Sequence, residues 1–308
     1  LSNFLSVISV LMYGGVSTQL ANHVDISTVE KGDPLWCARF LVTDKQAVIN
    51  THRDYVRAGS DIIETNSYQA SIPGFMKYLN LSFEESVALL QESVSLAKQY
   101  ASIYLRKYIA GSCGSYGAFL HDGSEYRGDF MDRVSVEEIT SFHEQRMKAL
   151  VDANVDLLAI ETIPTQAEAE ILTELLKKFP GIKAWIAFSV KDESHLSCGD
   201  DFVKAAMSVW SKNPEQLIAV GVNCLNPNFV SPLVSPIVKQ IPIIAYPNKG
   251  ELWDGSDKIC QSYCKPLIDY VSDWLDLGVS YIGGCCRTSA SDIADFRQLI
   301  DSRIKGSK

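Results

Sequence analysis

The segment Asp156-Leu-Leu-Ala-Ile-Glu161, with the stretches Gln166–Phe179 and Ala184–Val190 behind it, decides the fold of this chain. The first and third stretches are short apolar runs of strand length, and the second has helical spacing and follows Pro164. A strand, a helix and another strand predict a parallel βαβ unit, because parallel neighbours need a long crossover connection.

The same alternation recurs along the chain. Eight short runs have strand character: Val7–Met12, Asp61–Thr65, Tyr108–Gly111, Asp156–Glu161, Ala184–Val190, Leu217–Val222, Ile241–Ala245 and Val279–Gly283. Helical patterns lie between and after them: Asp44–Ala58, Ser82–Leu105, Ser135–Ala153, Gln166–Phe179, Asp201–Ser211, the proline-interrupted Asn228–Lys239, Cys264–Leu277 and Ser291–Ile304. Eight such units in 308 residues predict a (β/α)8 TIM barrel, a single domain over residues 1–308.

An open doubly wound sheet is the alternative architecture. It usually carries a glycine-rich phosphate turn after the first strand. Gly14-Gly15-Val16-Ser17 is too short and wrongly spaced for G-x-G-x-x-G, so the barrel is favoured. In a barrel the active site forms at the carboxyl ends of the strands.

Bulk properties exclude several classes of partner. The net charge of −9 argues against nucleic acid and anionic lipid, and no run approaches the roughly 18 apolar residues of a membrane span. The apolar start Leu1–Tyr13 lacks a basic n-region, so we expect an opening strand rather than a signal peptide. Eight scattered cysteines predict a reducing cytoplasm and mostly free thiols. We expect small-molecule partners and a monomer or small homo-oligomer.

Three cysteines stand at predicted strand ends. Cys224 ends the sixth strand, and Cys285 and Cys286 follow the eighth. Only one strand lies between them in a barrel, so the three side chains can converge on one face. Any single cysteine is more simply a small buried apolar residue, but three thiolates with an open position match a catalytic Zn²⁺ site. Such a site would bind a substrate thiol and remove its proton.

Polar residues near the same strand ends are further candidates. Glu161 faces the predicted mouth, where it binds an amino group or supports a neighbouring element; Glu64 has a stronger case for a purely structural role. Asn223 is expected to orient a substrate carboxylate or a loop. Thr288 is expected to orient a substrate carboxylate or a loop, or else to cap the last helix.

These residues belong to segments that resemble the homocysteine S-methyltransferase family. The matching segments are Gly14-Gly-Val-Ser-Thr-Gln-Leu20, Asp33-Pro-Leu-Trp36, Tyr55-Val-Arg-Ala-Gly-Ser-Asp61, Thr65-Asn-Ser-Tyr-Gln-Ala70, Glu161-Thr162, Gly221-Val-Asn-Cys224, Tyr246-Pro-Asn248, Trp253-Asp254 and Gly283-Gly-Cys-Cys-Arg287. They cover nearly the whole chain in order, and the cysteine pattern is the most specific. The resemblance implies an enzyme of class EC 2.1.1 that methylates zinc-bound homocysteine to methionine.

The resemblance also implies a substrate pocket and a methyl donor. The expected pocket residues are Tyr13, Gly14, Gly15, Glu161, Asn223 and Thr288, with Glu161 holding the substrate amino group. Three segments are more similar to the branch that uses S-methylmethionine, with S-adenosylmethionine as a lesser donor, than to the betaine branch: Asp33–Trp36, Tyr246–Asn248 and Trp253-Asp254. Aromatic residues near the mouth are candidates for a wall around a sulfonium: Tyr68, Tyr116, Tyr246 and Trp253.

One position departs from the family pattern. The opening strand of the family usually ends in Asp-Gly-Gly, with the aspartate on the homocysteine amine, whereas this chain has Tyr13-Gly14-Gly15. Two alternatives therefore stand beside the main prediction: betaine as the donor, or a zinc-binding barrel with weakened or lost catalysis. A third, a redox function, predicts fast thiol oxidation without a bound metal.

Overall fold

The computed structural model describes residues 10–27, 32–104, 107–250, 252–253, 259–260 and 265–306. Its parallel strands are β1 (Val10–Leu11), β2 (Ile62–Glu64), β3 (Tyr108–Gly114), β4 (Leu157–Ile163), β5 (Lys183–Phe188), β6 (Leu217–Asn223), β7 (Ile243–Tyr246) and β8 (Tyr281–Ile282). They pair in the order β1-β8-β7-β6-β5-β4-β3-β2. Between β1 and β2, the Asp61 backbone N–H donates to the Leu11 carbonyl at 2.7 Å. The predicted (β/α)8 barrel is confirmed.

Helices surround the sheet on its outer side. Their bounds are Val16–Leu20, Phe40–Thr43, Lys45–Ala58, Ile72–Leu79, Phe83–Ala101, Tyr116–Leu120, Val136–Asp152, Gln166–Leu176, Phe202–Lys212, Val230–Val234, Leu267–Leu277 and Ala290–Gly306. Short 3₁₀ turns occupy Trp36–Arg39, Ser124–Tyr126, Asp129–Asp132 and Pro227–Phe229. Outside the barrel, Leu252–Trp253 and Ile259–Cys260 pair antiparallel. The extent of one domain over residues 1–308 stays a prediction.

Helix boundaries follow the capping signals in the sequence. The Ser82 hydroxyl accepts the Glu85 N–H, and the Glu85 carboxylate accepts the Ser82 N–H, which together form a capping box. Ser135 accepts the Glu138 N–H in the same way. The helix Ile72–Leu79 was not predicted, although Ser71 caps its start.

Some predicted boundaries differ from the structure. The predicted helix Asn228–Lys239 is a 3₁₀ turn followed by one short helix that ends at Val234, because Pro236 cannot donate a helical hydrogen bond. Residues 7–9 of the predicted opening strand lie outside the described residues. So do Leu105 and Cys264, the predicted limits of two helices.

Successive side chains along each strand point alternately into the barrel and outward to the helices. Apolar side chains fill the interior: Met12, Ile62, Ala110, Leu157, Ala159, Trp185, Ala187, Ala219, Ile244, Tyr246 and Tyr281. Residues two positions apart on a strand point to the same face of the sheet. Glu64, Ser112 and Glu161 each come two residues after one of these interior residues, so they also point into the barrel, at the carboxyl ends of their strands. The barrel core therefore ends in a polar layer. Within the described residues, no helix has the length and apolarity needed to cross a membrane.

Candidate active site

A pocket of about 310 Å³ opens at the carboxyl ends of the strands. Its floor includes the polar layer above the barrel core, and its rim includes the three cysteines expected to bind metal. Gly14 and Gly15, after β1, also line it. The structure thus brings together residues from the first, second, fourth, sixth and eighth βα units, as expected for a barrel active site.

The sulfur atoms of Cys224, Cys285 and Cys286 all lie within 4.8 Å of one another. The Cys224 and Cys286 Sγ atoms are 3.9 Å apart, close to the edge of about 3.8 Å that a tetrahedron with Zn–S bonds of about 2.3 Å requires. The Cys224 and Cys285 sulfurs are in direct contact, and in the reduced state the three cysteines together supply three thiolate donors. Cys286 is exposed and free. The donor set and its spacing fit a soft metal ion.

The loop that carries Cys285 and Cys286 packs directly on the loop after β1. The Gly15 N–H donates to the Thr288 carbonyl at 2.9 Å, and the Gly284 N–H donates to the Tyr13 carbonyl at 3.1 Å. A Cβ atom on Gly15 would lie 2.4 Å from the Cys285 carbonyl oxygen, closer than any side chain tolerates. The glycine at this position is required by that close approach.

Tyr55 fastens the same two loops from behind. Its buried hydroxyl lies 2.9 Å from both the Gly15 and the Thr288 carbonyl oxygens. Asn248 plays a matching part on the other side, since its Oδ1 accepts the Cys286 N–H at 3.1 Å and its own N–H donates to Leu225. Neither residue was among the predicted site residues. Both lie in segments that match the family, which was the available signal.

Glu161 reaches the pocket floor from β4. It accepts hydrogen bonds from the Ser112 and Tyr246 hydroxyls. Burial raises the pKa of Glu161 to about 7, while these two hydroxyls and the Arg146 guanidinium act in the opposite direction. A carboxylate held in this way is suited to bind a cationic group.

Asn223 turns its side chain toward β4 rather than into open space. Its Oδ1 accepts the Thr162 N–H and its Nδ2 donates to the Thr162 hydroxyl, both at 2.8 Å. Of the two roles predicted for Asn223, the structure provides the contacts for orienting a neighbouring segment. Asn223 still lines the pocket beside Cys224.

Tyr13 and Thr288 are buried behind the pocket wall. The Tyr13 hydroxyl is hydrogen-bonded to His52 Nδ1 at 2.8 Å, and its ring packs on Tyr55 at a centroid distance of 4.0 Å. The Thr288 side chain packs against Gly284. Neither side chain is among those lining the pocket.

Some of the aromatic candidates line the pocket and others do not. Tyr68 and Tyr246 line the pocket, joined by Trp36 and Tyr126, which the sequence did not single out. Tyr116 packs instead with Phe119, Phe130 and Phe142 on the outside of the barrel. The side chain of Trp253 and all of Asp254 lie outside the described residues.

Two further acidic residues line the pocket without appearing in the predicted site. Glu64 comes from the end of β2, and Glu125 from the loop after β3. The Glu125 Oε2 atom is buried and has no hydrogen-bond partner among the described residues. The signal for Glu64 was its strand-end position.

Comparisons with known proteins agree with this geometry. The family profile described as homocysteine S-methyltransferase matches residues 10–300. The chain is 42% identical to the betaine-homocysteine S-methyltransferase of Drosophila melanogaster, over 94% of this chain and 93% of that protein. It is 38% identical to the homocysteine S-methyltransferase of Escherichia coli, with 92% and 93% covered.

A solved structure extends the comparison to the fold. The metallated form of the homocysteine methyltransferase MmuM from Escherichia coli superposes with a TM-score of 0.84 at 35% identity. The match covers 97% of this chain and 98% of that one. These similarities confirm the resemblance seen in the sequence and the predicted class of enzyme, a methyltransferase. The chain belongs to the homocysteine S-methyltransferase family.

Proposed function

We propose that this protein transfers a methyl group from a sulfonium donor to homocysteine and so produces methionine, with zinc bound by Cys224, Cys285 and Cys286. The observation that carries the proposal is the convergence of three cysteine sulfurs on the pocket that also contains the Glu161 carboxylate. A thiol and an ammonium group on one small molecule match these two features. Homocysteine has both.

The three cysteines would hold the metal through their thiolates. When bound, zinc supplies the positive charge that keeps the substrate thiol deprotonated at neutral pH. Tyr55 and Asn248 fix the cysteine loops by hydrogen bonds to backbone atoms. Such outer contacts keep ligands in position and raise metal affinity.

The remaining residues orient the two substrates. Glu161 accepts hydrogen bonds from the substrate ammonium, and Gly14 and Gly15 allow it to approach the backbone. Asn223 acts on the substrate indirectly, by holding Thr162. Tyr13 and Thr288 support the pocket wall from behind and do not touch the substrate. The homocysteine sulfur then forms a bond to the methyl carbon while the donor's sulfur–methyl bond breaks. The donor leaves as a neutral thioether, so the pocket's task is alignment and exclusion of water.

Metal analysis of the purified protein tests the proposal. We expect about one zinc per chain under reducing conditions, and loss of both metal and methyl transfer in Cys286→Ser. Cys198→Ser is the matched control, because Cys198 is also free and exposed but lies outside the pocket lining. Protein that retains no zinc, or a Cys286→Ser variant with full activity, would refute the proposal.

The acidic residues that line the pocket favour S-methylmethionine over betaine as the methyl donor. S-methylmethionine carries an ammonium group besides its sulfonium, and betaine carries no such N–H donor. The buried Glu125 Oε2 atom, which has no hydrogen-bond partner in the described part of the chain, provides an acceptor for that ammonium. S-adenosylmethionine shares the group and is proposed as a lesser donor.

Donor assays with Glu125→Gln test this assignment. We expect turnover with S-methylmethionine in the native protein, and a KM for this donor raised about tenfold in the variant. The KM for homocysteine should not change. Turnover with betaine alone would show that the donor assignment is wrong. A cytoplasmic location and a monomeric or small homo-oligomeric state remain predictions.

A further inference from the structure

Glu64 is a buried carboxylate that has no role in the function proposed above. Its side chain is 7% exposed, points inward from the end of β2 and lines the pocket. Within the described part of the chain, no hydrogen bond or ion pair of its carboxylate is found, and Glu161 is the charged group that acts on it. A carboxylate in this condition is costly to bury and needs a compensating group.

The groups around Glu64 do not supply that compensation. Burial raises the pKa of Glu64 well above its usual range, and the neighbouring Glu161 carboxylate raises it further. The Arg146 guanidinium acts on Glu161 and not on Glu64. Its N–H groups donate to the carbonyls of Gly114, Ser67 and Tyr68. Among the described residues, the pocket lining therefore contains Glu64 and Glu161 but no lysine or arginine.

We propose that Glu64 is a second carboxylate that binds the substrate ammonium group, together with Glu161. This inference rests on the proposed function and assigns a further residue to it. An ammonium has three N–H donors, and Glu161 already receives hydrogen bonds from two hydroxyls. Glu64 accepts one of the remaining donors. Two adjacent carboxylates repel each other when both are ionised, and a cation between them relieves that repulsion. The ammonium and the carboxylate pair therefore stabilise each other.

The neighbouring strand does not offer an alternative to Glu64. The residue at the end of β1 is Tyr13, whose hydroxyl faces His52 rather than the pocket. A neutral phenol that is turned away supplies no charge to the amine. Glu64 is therefore the described residue beside Glu161 that brings a second negative charge to the floor.

Binding calorimetry on the zinc-loaded protein separates this role from a structural one. Homocysteine is compared with 4-mercaptobutyrate, which keeps the thiol and the carboxylate but lacks the amine. In Glu64→Gln we expect the Kd of homocysteine to rise about tenfold, as for a lost charged hydrogen bond. The Kd of 4-mercaptobutyrate should stay the same or fall. Glu84→Gln, on an exposed helix position, is the control and should change neither.

The outcomes distinguish the inference from the function on which it rests. Equal weakening of both thiols in Glu64→Gln, or no weakening of homocysteine, would overturn the role of Glu64. Zinc content and unfolding midpoint of the variant check that the fold is retained. Failure of the native protein to methylate homocysteine with any donor would overturn the proposed function, whereas the two binding constants would still report on Glu64.

Discussion

The side-chain amide of Asn223 is bound twice to Thr162, at 2.8 Å through each of its polar atoms. Thr162 follows Glu161 and has a positive φ of 58°, an unusual conformation for a β-branched residue. The two residues lie on β6 and β4, with β5 between them. This contact therefore couples the strand end that carries Cys224 to the strand end that carries Glu161.

Replacing Asn223 tests that coupling. Asn223→Ala removes both hydrogen bonds and releases Thr162 from its strained conformation. We expect the KM for homocysteine to rise at least several-fold and the free energy of unfolding to fall by about 1–3 kcal/mol. Steady-state kinetics and guanidinium unfolding measure the two effects. Asn50→Ala, on an outer helix, is the control. An unchanged KM in Asn223→Ala would show that the Asn223–Thr162 contact does not affect substrate binding.

Tyr55→Phe removes the hydroxyl that fastens the cysteine loop and keeps the ring. We expect zinc to be lost to a chelator about tenfold faster, in line with other groups that orient metal ligands. Competition with a chromophoric chelator measures this rate. Tyr104→Phe, an exposed tyrosine, should behave as the native protein. Equal rates in both variants would contradict a positioning role for Tyr55.

Tyr13→Phe tests whether Tyr13 touches the substrate. The change leaves buried His52 without its hydrogen bond at Nδ1, so the free energy of unfolding should fall by about 1–2 kcal/mol. Because the Tyr13 ring lies behind the pocket wall, the KM for homocysteine should stay constant. Thermal unfolding and kinetics check both statements. A large change in KM with unchanged stability would place Tyr13 in contact with the substrate instead.

Glu161 makes stability depend on pH. Burial raises its pKa in the folded protein to about 7, above the roughly 4.3 of an exposed glutamate. The folded state therefore binds this proton more tightly than the unfolded state, and the stability that it contributes below about pH 4 is lost as pH rises to 7. Glu161→Gln should remove this pH-dependent loss of folding stability, because glutamine does not titrate.

Urea unfolding at pH 5 and pH 8 measures the effect. We expect Glu161→Gln to gain stability relative to the native protein at pH 8, by on the order of 1–3 kcal/mol more than at pH 5. Its methyl transfer to homocysteine should be strongly reduced at both values. A stability difference that does not depend on pH would show that the carboxyl group titrates normally.

Much of the fold was available from local patterns. The capping serines Ser82 and Ser135 begin helices where predicted, and each of the eight predicted strands overlaps an observed one. Strand-end positions also placed Cys224, Cys285 and Cys286 on one face. These features were readable because periodicity, capping and strand polarity depend on residues close together in the chain.

The contacts that complete the site depend on residues far apart in the chain. Tyr55 and Thr288 are separated by 233 positions, and Asn223 and Thr162 by 61. Whether Tyr13 faces the pocket or His52, and whether Glu64 finds a partner, depends on side-chain directions that only barrel closure sets. By itself the sequence determined the barrel, the family and the cysteine triad. Tertiary packing alone decided which polar side chains face the pocket and which support it from behind.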